Sequence, residues 1–321
     1  MINELIIRKL VDYILLNACS VSSSGLYNGK AGMALALFET ARYLQDEYIE
    51  EQALNLLQEA LLSKTDDIGF ENGLSGIGYV LLYLIENDFI DADFEEIFGE
   101  KFKKIISCFE NFINNPNFLL NAIKMNYFFS SVKSYSSQDQ GKGIDQIIKS
   151  IFETNELYLI NQFLNFKDIN YINNKNKVLD RIETYLKVVY ECNYTEYSYV
   201  VLQNYAEIYR NGRIISSYRI AYYLEKLDIE GKFIDIINDN KKYSESNIME
   251  RITLKNNIDL ANIIGDDNLI NVLTLKNRSE FEKLIFELIP HDAFKAGYEQ
   301  GISRLIIYIV KYLDNYKIKF I

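Results

Sequence analysis

Nine of the fifteen glycines in this chain fall in three short stretches that share one pattern. The stretches are Gly25 to Phe38 (GLYNGKAGMALALF), Gly69 to Leu82 (GFENGLSGIGYVLL) and Gly297 to Val310 (GYEQGISRLIIYIV). Each runs glycine, a large apolar or aromatic residue, two polar or aromatic positions, glycine, two more positions, a third glycine, then an apolar run. Arg304 stands where the third copy should have its third glycine. Self-similarity of this kind decides architecture before any single residue does. Each copy predicts a loop running into a helix. The first glycine is expected to open the turn with a positive φ. The other two open the helix on one face of its first turn. A helical glycine costs roughly 1 kcal/mol against alanine, so a pair of them needs a reason. Close approach of a neighbouring helix is one. Close approach of a ligand to an exposed helix start, with its unpaired N–H groups and partial positive charge, is the other.

Gly25 and Gly69 are 44 residues apart, and Gly69 and Gly297 are 228 apart, about five further intervals of that length. A two-helix hairpin with its loops takes roughly 40–47 residues. The arithmetic predicts six or seven helical hairpins in one all-α domain over residues 1–321. The motif is clearest at the two ends of the chain and degenerate between them. An open solenoid would instead carry polar capping repeats at its ends. The pattern therefore points to closure, with the first and last hairpins meeting in a ring.

Apolar residues at three- and four-residue steps predict a helix over 2–17. The motif helix over about 31–45 is apolar all round at its start, which marks a buried inner helix. Residues 49–63 alternate charge with apolar pairs, as an outer helix does. The second motif helix, about 75–87, is inner again, and Asp93 to Glu96 caps an outer one over about 94–114. Beyond Pro116 the pattern blurs. Residues 117–132 predict an inner helix without its glycines, and Ser134 to Gly143 a loop. Gly141-Lys142-Gly143 lacks the spacing of a phosphate-binding loop. Helices follow over 143–163, 175–192, 195–210 and 213–226. Tyr205, Tyr209, Tyr218 and Tyr222 recur at helical spacing, a pattern of interhelical packing. Residues 238–258 are polar and predict a loop or short irregular helices. Ser279 to Glu282 caps a helix ending before Pro290, and the last motif helix spans about 299–316.

Those three stretches resemble the lanthionine synthetase C-like family, on LYNGKAGMALALFETARYL (Leu26 to Leu44), GFENGLSGIGYVLLYLIENDFID (Gly69 to Asp91) and GYEQGISRLIIYIVKYL (Gly297 to Leu313). The resemblance implies an α/α toroid of inner and outer helices. It also implies enzymes that add a cysteine thiol to a dehydrated serine or threonine, on a zinc ion held by two Cys and one His. Zinc needs such donors and an open fourth position for the substrate thiol. Here the Cys-His pair before the second glycine is replaced by Tyr27-Asn28, Glu71-Asn72 and Glu299-Gln300. There is no tryptophan, and Cys19, Cys108 and Cys192 stand singly in apolar, helix-like surroundings. The one histidine, His291, has no cysteine beside it. No position carries over as a metal ligand, and no cofactor is expected.

A net charge of −11 argues against a nucleic-acid backbone and an anionic membrane as partners. Three unpatterned cysteines suit a reducing compartment. Charges at Glu4, Arg8, Lys9 and Asp12 break the run a signal peptide needs. A cytoplasmic protein is the expectation. Convergence of the motif helices would gather Tyr27, Asn28, Lys30, Glu71, Asn72, Ser75, Glu299 and Gln300 at the ring mouth, as a peptide- or sugar-binding set or as solvated capping residues. His291 and Asp292 form a candidate general base with its orienting carboxylate. Glu71 and Glu299 form a candidate acid–base pair, if roughly 5–9.5 Å apart. The leading expectation is a zinc-free binding or scaffold partner, for a peptide or protein, in maturation of a ribosomally made peptide. The alternatives are a peptide cyclase or hydrolase using non-metal residues at the mouth, or a general helical interaction module. The sequence leaves the oligomeric state open.

Overall fold

The computed structural model describes residues 4–135, 141–165, 175–212, 217–228, 230–247, 283 and 294–314. Among them are thirteen helices and no strand, which makes the fold all-α. They fall into two compact units, one holding the described residues of 1–106 and 251–321, the other those of 107–250.

The first unit contains α1 (Glu4–Ala18), α2 (Lys30–Leu44), α3 (Glu47–Leu62), α4 (Leu74–Glu86), α5 (Phe94–Phe112) up to Ile106, and α13 (Ile302–Leu313). Every residue of α2 from Ala31 to Ala41 is buried, as is every residue of α13 from Ile302 to Val310. In α4 only Tyr79, Tyr83, Ile85 and Glu86 escape full burial. By contrast α3 buries a single stripe of Ile49, Ala53, Leu56, Leu57 and Ala60, the face of an outer helix. Inner and outer layers therefore alternate as the hydrophobic pattern predicts. The sharp starts have local causes. Asp46 caps α3, its Oδ1 accepting from the amides of Tyr48 and Ile49 at 3.1 and 3.2 Å, and Arg8 of α1 reaches its other oxygen at 2.5 Å. Asp93 accepts from the Glu96 amide at 2.8 Å, as the Asp93 to Glu96 spacing predicts.

The second unit contains α6 (Pro116–Asn121), α7 (Met125–Tyr135), α8 (Gly141–Asn165), α9 (Lys175–Glu191), α10 (Tyr199–Arg210), α11 (Tyr218–Leu227) and α12 (Ile234–Asn247). Three expectations change here. The single helix over 117–132 is two: Asn115 caps α6 with Pro116 in its first turn, and a turn at Ala122 precedes α7. Gly141-Lys142-Gly143 opens α8 instead of closing a loop. The polar stretch from 238 is helical to Asn247, because Phe233, Ile236, Ile237 and Asn240 form a buried face. Asn240 is fully buried, donating to the Ile236 carbonyl at 2.8 Å and accepting from the Ser217 amide at 2.6 Å. Tyr205 and Tyr222 pack between helices as their spacing predicts, with ring centroids 6.4 Å from Phe163 of α8 and 6.2 Å from Tyr190 of α9 respectively. The Tyr218 side chain lies outside the described residues.

Candidate functional site

All three motif loops close their helices in the same way. The amide of the first helical residue bonds the carbonyl seven positions upstream: Lys30 to Ser23 at 3.1 Å, Leu74 to Asp67 at 2.8 Å, Ile302 to Lys295 at 2.8 Å. The next position repeats the bond, from Ala31 to Ser24 at 3.2 Å and from Ser75 to Ile68 at 3.3 Å. Its serine hydroxyl, where present, adds a second, from Ser75 Oγ to the Ile68 carbonyl at 2.6 Å and from Ser303 Oγ to the Ala296 carbonyl at 2.5 Å. These amides are the ones an anion would need at a helix start, and the chain's own loop has taken them. The glycines serve that closure. A Cβ at Gly29 would stand 2.6 Å from the Gly25 carbonyl oxygen, and one at Gly301 2.7 Å from that of Gly297. Both have negative φ (−137° and −114°), so space decides, not backbone conformation. The first glycines are likewise not in the positive-φ region expected for them. Gly25 lies against the backbone of Asn72, and Gly297 against Asn28 Oδ1, 2.7 Å from where a Cβ would sit.

Those last contacts cross from one copy to the next, and they belong to a repeated set. The third copy sits on the first as the first sits on the second. The Glu299 amide donates to the Tyr27 carbonyl at 3.0 Å, and the Tyr27 amide donates to the Glu71 carbonyl at 2.7 Å. Tyr298 Cβ lies in the notch of Gly32, and Leu26 Cβ in the notch of Gly76, 2.8 and 3.0 Å from where a glycine Cβ would be. The close-approach reading of the glycine spacing is therefore the correct one. It serves docking between copies. Arg304 fills its own notch position, fully buried, with its guanidinium carbon 5.6 Å from the Tyr298 ring centroid.

This ladder brings Tyr27, Asn28, Glu71, Asn72, Glu299 and Gln300 onto adjacent loops. Tyr27 is buried, its ring 6.5 Å from both Phe70 and Tyr298. Glu71 and Asn72 are exposed, while Asn28, Glu299 and Gln300 are half-buried. The Tyr27 peptide unit stands between the two glutamates. Lys30 turns away to pair with Glu59 of α3. Ser75 is fully buried and spent on the Ile68 carbonyl. His291 and Asp292 lie outside the described residues.

Two turns further along the same helices the copies meet again. Glu39, Tyr83 and Lys311 each stand seven residues after the third-glycine position of their copy. Lys311 Nζ is 2.7 Å from Glu39 Oε1 and 3.2 Å from the Tyr83 hydroxyl, which itself donates to Glu39. The Glu39 side chain is 5 % exposed and that of Lys311 16 %. Burial, with the carboxylate of Glu39 beside it, raises the Tyr83 hydroxyl far above its ordinary pKa. Tyr83 is thus a hydrogen-bond donor at any physiological pH. Sequence reading passed over this triad because each member stands alone in an apolar run. The equal seven-residue offset in three aligned copies was the available signal.

A zinc site of the thiolate–imidazole kind does not fit these loops. Tyr27-Asn28, Glu71-Asn72 and Glu299-Gln300 supply neither donor, and the Tyr27 ring fills the space between two other rings. Among the described residues no three His, Cys, Asp or Glu side chains come together as ligands would. No helix among them is long and apolar enough to cross a membrane. Residues 3–142 match the family model described as lanthionine synthetase C-like protein, a span that includes the first two motif copies. No curated protein and no solved structure matches the chain.

Proposed function

We propose, from the premise that this chain belongs through residues 3–142 to the lanthionine synthetase C-like family, that it is a zinc-free member which binds a peptide without cyclising it. Its role is that of a binding or scaffold partner in maturation of a ribosomally made peptide. The observation that carries this is the use made of the positions before the second glycine. Tyr27 is buried in the docking of three loops, and Glu71 and Asn72 are exposed beside it. A thiol brought here meets neither a metal donor set nor a histidine among the described residues. What the loops do offer is carboxylate, carboxamide and backbone amide chemistry on a surface that suits an extended or basic peptide. The analogy of fold alone would not carry the function.

The test uses the purified full chain and a labelled linear peptide bearing one dehydroalanine and one cysteine. Zinc per chain is measured after equilibration with zinc buffer, the free thiol is titrated over time, and binding is followed by anisotropy. We expect zinc well below one per chain, a thiol titre equal to the protein-free control, and saturable binding weakened by Glu71→Ala with Glu299→Ala. One zinc per chain together with thiol consumption would instead make the protein a cyclase. Absence of binding at any accessible concentration would remove the peptide-partner reading.

A further inference from the structure

The third motif copy docks on the first through contacts that owe nothing to chain connectivity. Two amides, of Tyr298 and Glu299, share the Tyr27 carbonyl at 2.7 and 3.0 Å. Tyr298 fills the Gly32 notch, and Lys311 of α13 reaches Glu39 of α2 at 2.7 Å. The first copy uses the same amide-to-carbonyl bond and the same notch on the second copy. The surface thus recognises a motif rather than its attachment. In sequence the two partners are separated by residues 107–250, which form a compact unit of their own.

A second molecule of this chain carries the identical segment. We propose that residues 294–314 are an exchangeable closing element, which a second copy of the chain supplies in trans to give a reciprocally swapped dimer. In that dimer each set of mouth loops is completed by Glu299 and Gln300 of the other copy. Exchange replaces every docking contact by the same contact, so the balance lies with effective concentration. The monomer holds at low protein concentration, and a change that mismatches the docking in cis but is matched in trans shifts the balance to the dimer. The inference does not rest on the peptide-binding reading.

Charge exchange between α2 and α13 tests it in the full-length protein. Glu39→Lys leaves two ammonium groups face to face within one chain, and Lys311→Glu leaves two carboxylates. A swapped pair made from one of each has both interfaces matched. At one interface the two introduced side chains meet as an ammonium and a carboxylate, and at the other the native Glu39 meets the native Lys311. The two variants are mixed, warmed, cooled and sized by sedimentation. We expect a species of twice the 37.5 kDa chain mass in the mixture and not in either variant alone. The double variant Glu39→Lys/Lys311→Glu, repaired in cis, should return to the monomer. A mixture that stays monomeric while the double variant regains its melting temperature overturns the proposal, as does equal dimerisation of a single variant by itself. Should the single variants fail to fold, wild-type chains with two different tags are mixed, partly unfolded in urea and refolded at high concentration. Recovery of one tag with the other is then the expected result, and its absence overturns the proposal.

Discussion

The motif loops of the first unit and the start of α7 in the second solve one problem in two ways. In the first unit a glycine-rich loop folds back on its helix, and its carbonyls take the first amides and the serine hydroxyl two residues into the helix. At α7 there is no such loop. Short α6 precedes it, and the first amides of α7 settle for carbonyls three residues back: Met125 to Ala122 at 2.8 Å and Asn126 to Ile123 at 3.2 Å. Asn126 occupies the second helical position, the place held by Ser75 and Ser303 in the motif helices. The carbonyl seven residues upstream belongs to Leu119, and it accepts from Asn155 instead, at 3.3 Å. The Asn126 side chain is fully buried, and among the described residues neither its oxygen nor its nitrogen has a hydrogen-bond partner. Glycine spacing therefore does more than allow helices to approach. It provides the carbonyls that make a polar residue tolerable at a buried helix start.

The largest expected effect comes from closing a notch. A Cβ at Gly32 overlaps the Leu26 carbonyl of its own loop and meets Tyr298 of the docked copy. Gly32→Ala should lose about 3–5 kcal/mol of unfolding free energy in denaturant titration, the range of serious packing conflicts. A loss under about 1 kcal/mol would mean that loop and docking both adapt, and that the notch is not a recognition feature. Next comes the buried triad. Lys311→Met leaves the Glu39 carboxylate with the Tyr83 hydroxyl but no cation, and removal of one partner from a buried pair costs about 3 kcal/mol or more. Glu39→Gln with Lys311→Met should recover much of that loss, since the isolated charge is then gone.

Asn126 gives a prediction of opposite sign. Asn126→Leu removes an unbonded buried amide and should stabilise the chain by about 1–2 kcal/mol. Ser75→Ala, the matching change in a motif helix, should lose about 1 kcal/mol because its hydroxyl is bonded. Equal signs for the two substitutions would erase the contrast between the regions.

Buried carboxylates extend the comparison to pH. Glu39 in the first unit has a lysine, whereas Glu156 in the second is held by neutral donors, the Tyr185 hydroxyl at 2.6 Å and the Ser198 amide at 2.8 Å. Burial outweighs those two bonds and raises the Glu156 carboxyl above its ordinary pKa. The folded state therefore binds the proton more tightly than the unfolded one. The associated stability is fully present below the unfolded value, near 4.3, and is lost as pH rises through the folded value. Glu156→Gln keeps an acceptor for both donors and should flatten stability against pH over that window. An unchanged slope would assign the pH dependence to other groups.

Much of the first unit was legible because its signals are local: a capping Asp46, an Asp93 to Glu96 box, an apolar all-round α2 and a striped α3. Adjacency of the first and last copies was legible too, from motifs strongest at the chain's two ends. What escaped depends on partners far away in sequence. Asn240 looks like loop material until the Ser217 amide, 23 residues away, donates to it. The break between α6 and α7 falls at Ala122 to Lys124, in a mainly apolar stretch with no glycine or proline to mark it. At the candidate site, residue type did not tell use. Ser75 and Lys30 read as mouth residues, yet one is tied to its own loop and the other to Glu59. Tyr27 read as a binding residue, and its carbonyl and amide carry the docking between copies.

The smallest expected effect is also the cleanest control, because it asks whether glycine as such matters. Gly143 lies in the first turn of α8, and a Cβ built there meets nothing within 4 Å. It opens a helix as Gly32 does, but among the described residues no loop carbonyl and no docked copy faces it. Gly143→Ala should therefore gain up to about 1 kcal/mol, the propensity difference between the two residues in a helix, read as a shift of the denaturant midpoint at constant slope. The same substitution thus has opposite signs at two helix starts of one chain. A loss at Gly143 comparable to that at Gly32 would mean that a contact absent from the described residues depends on it. The glycines of the motif would then share their role with a glycine outside it, and docking between copies would no longer explain why the motif is kept.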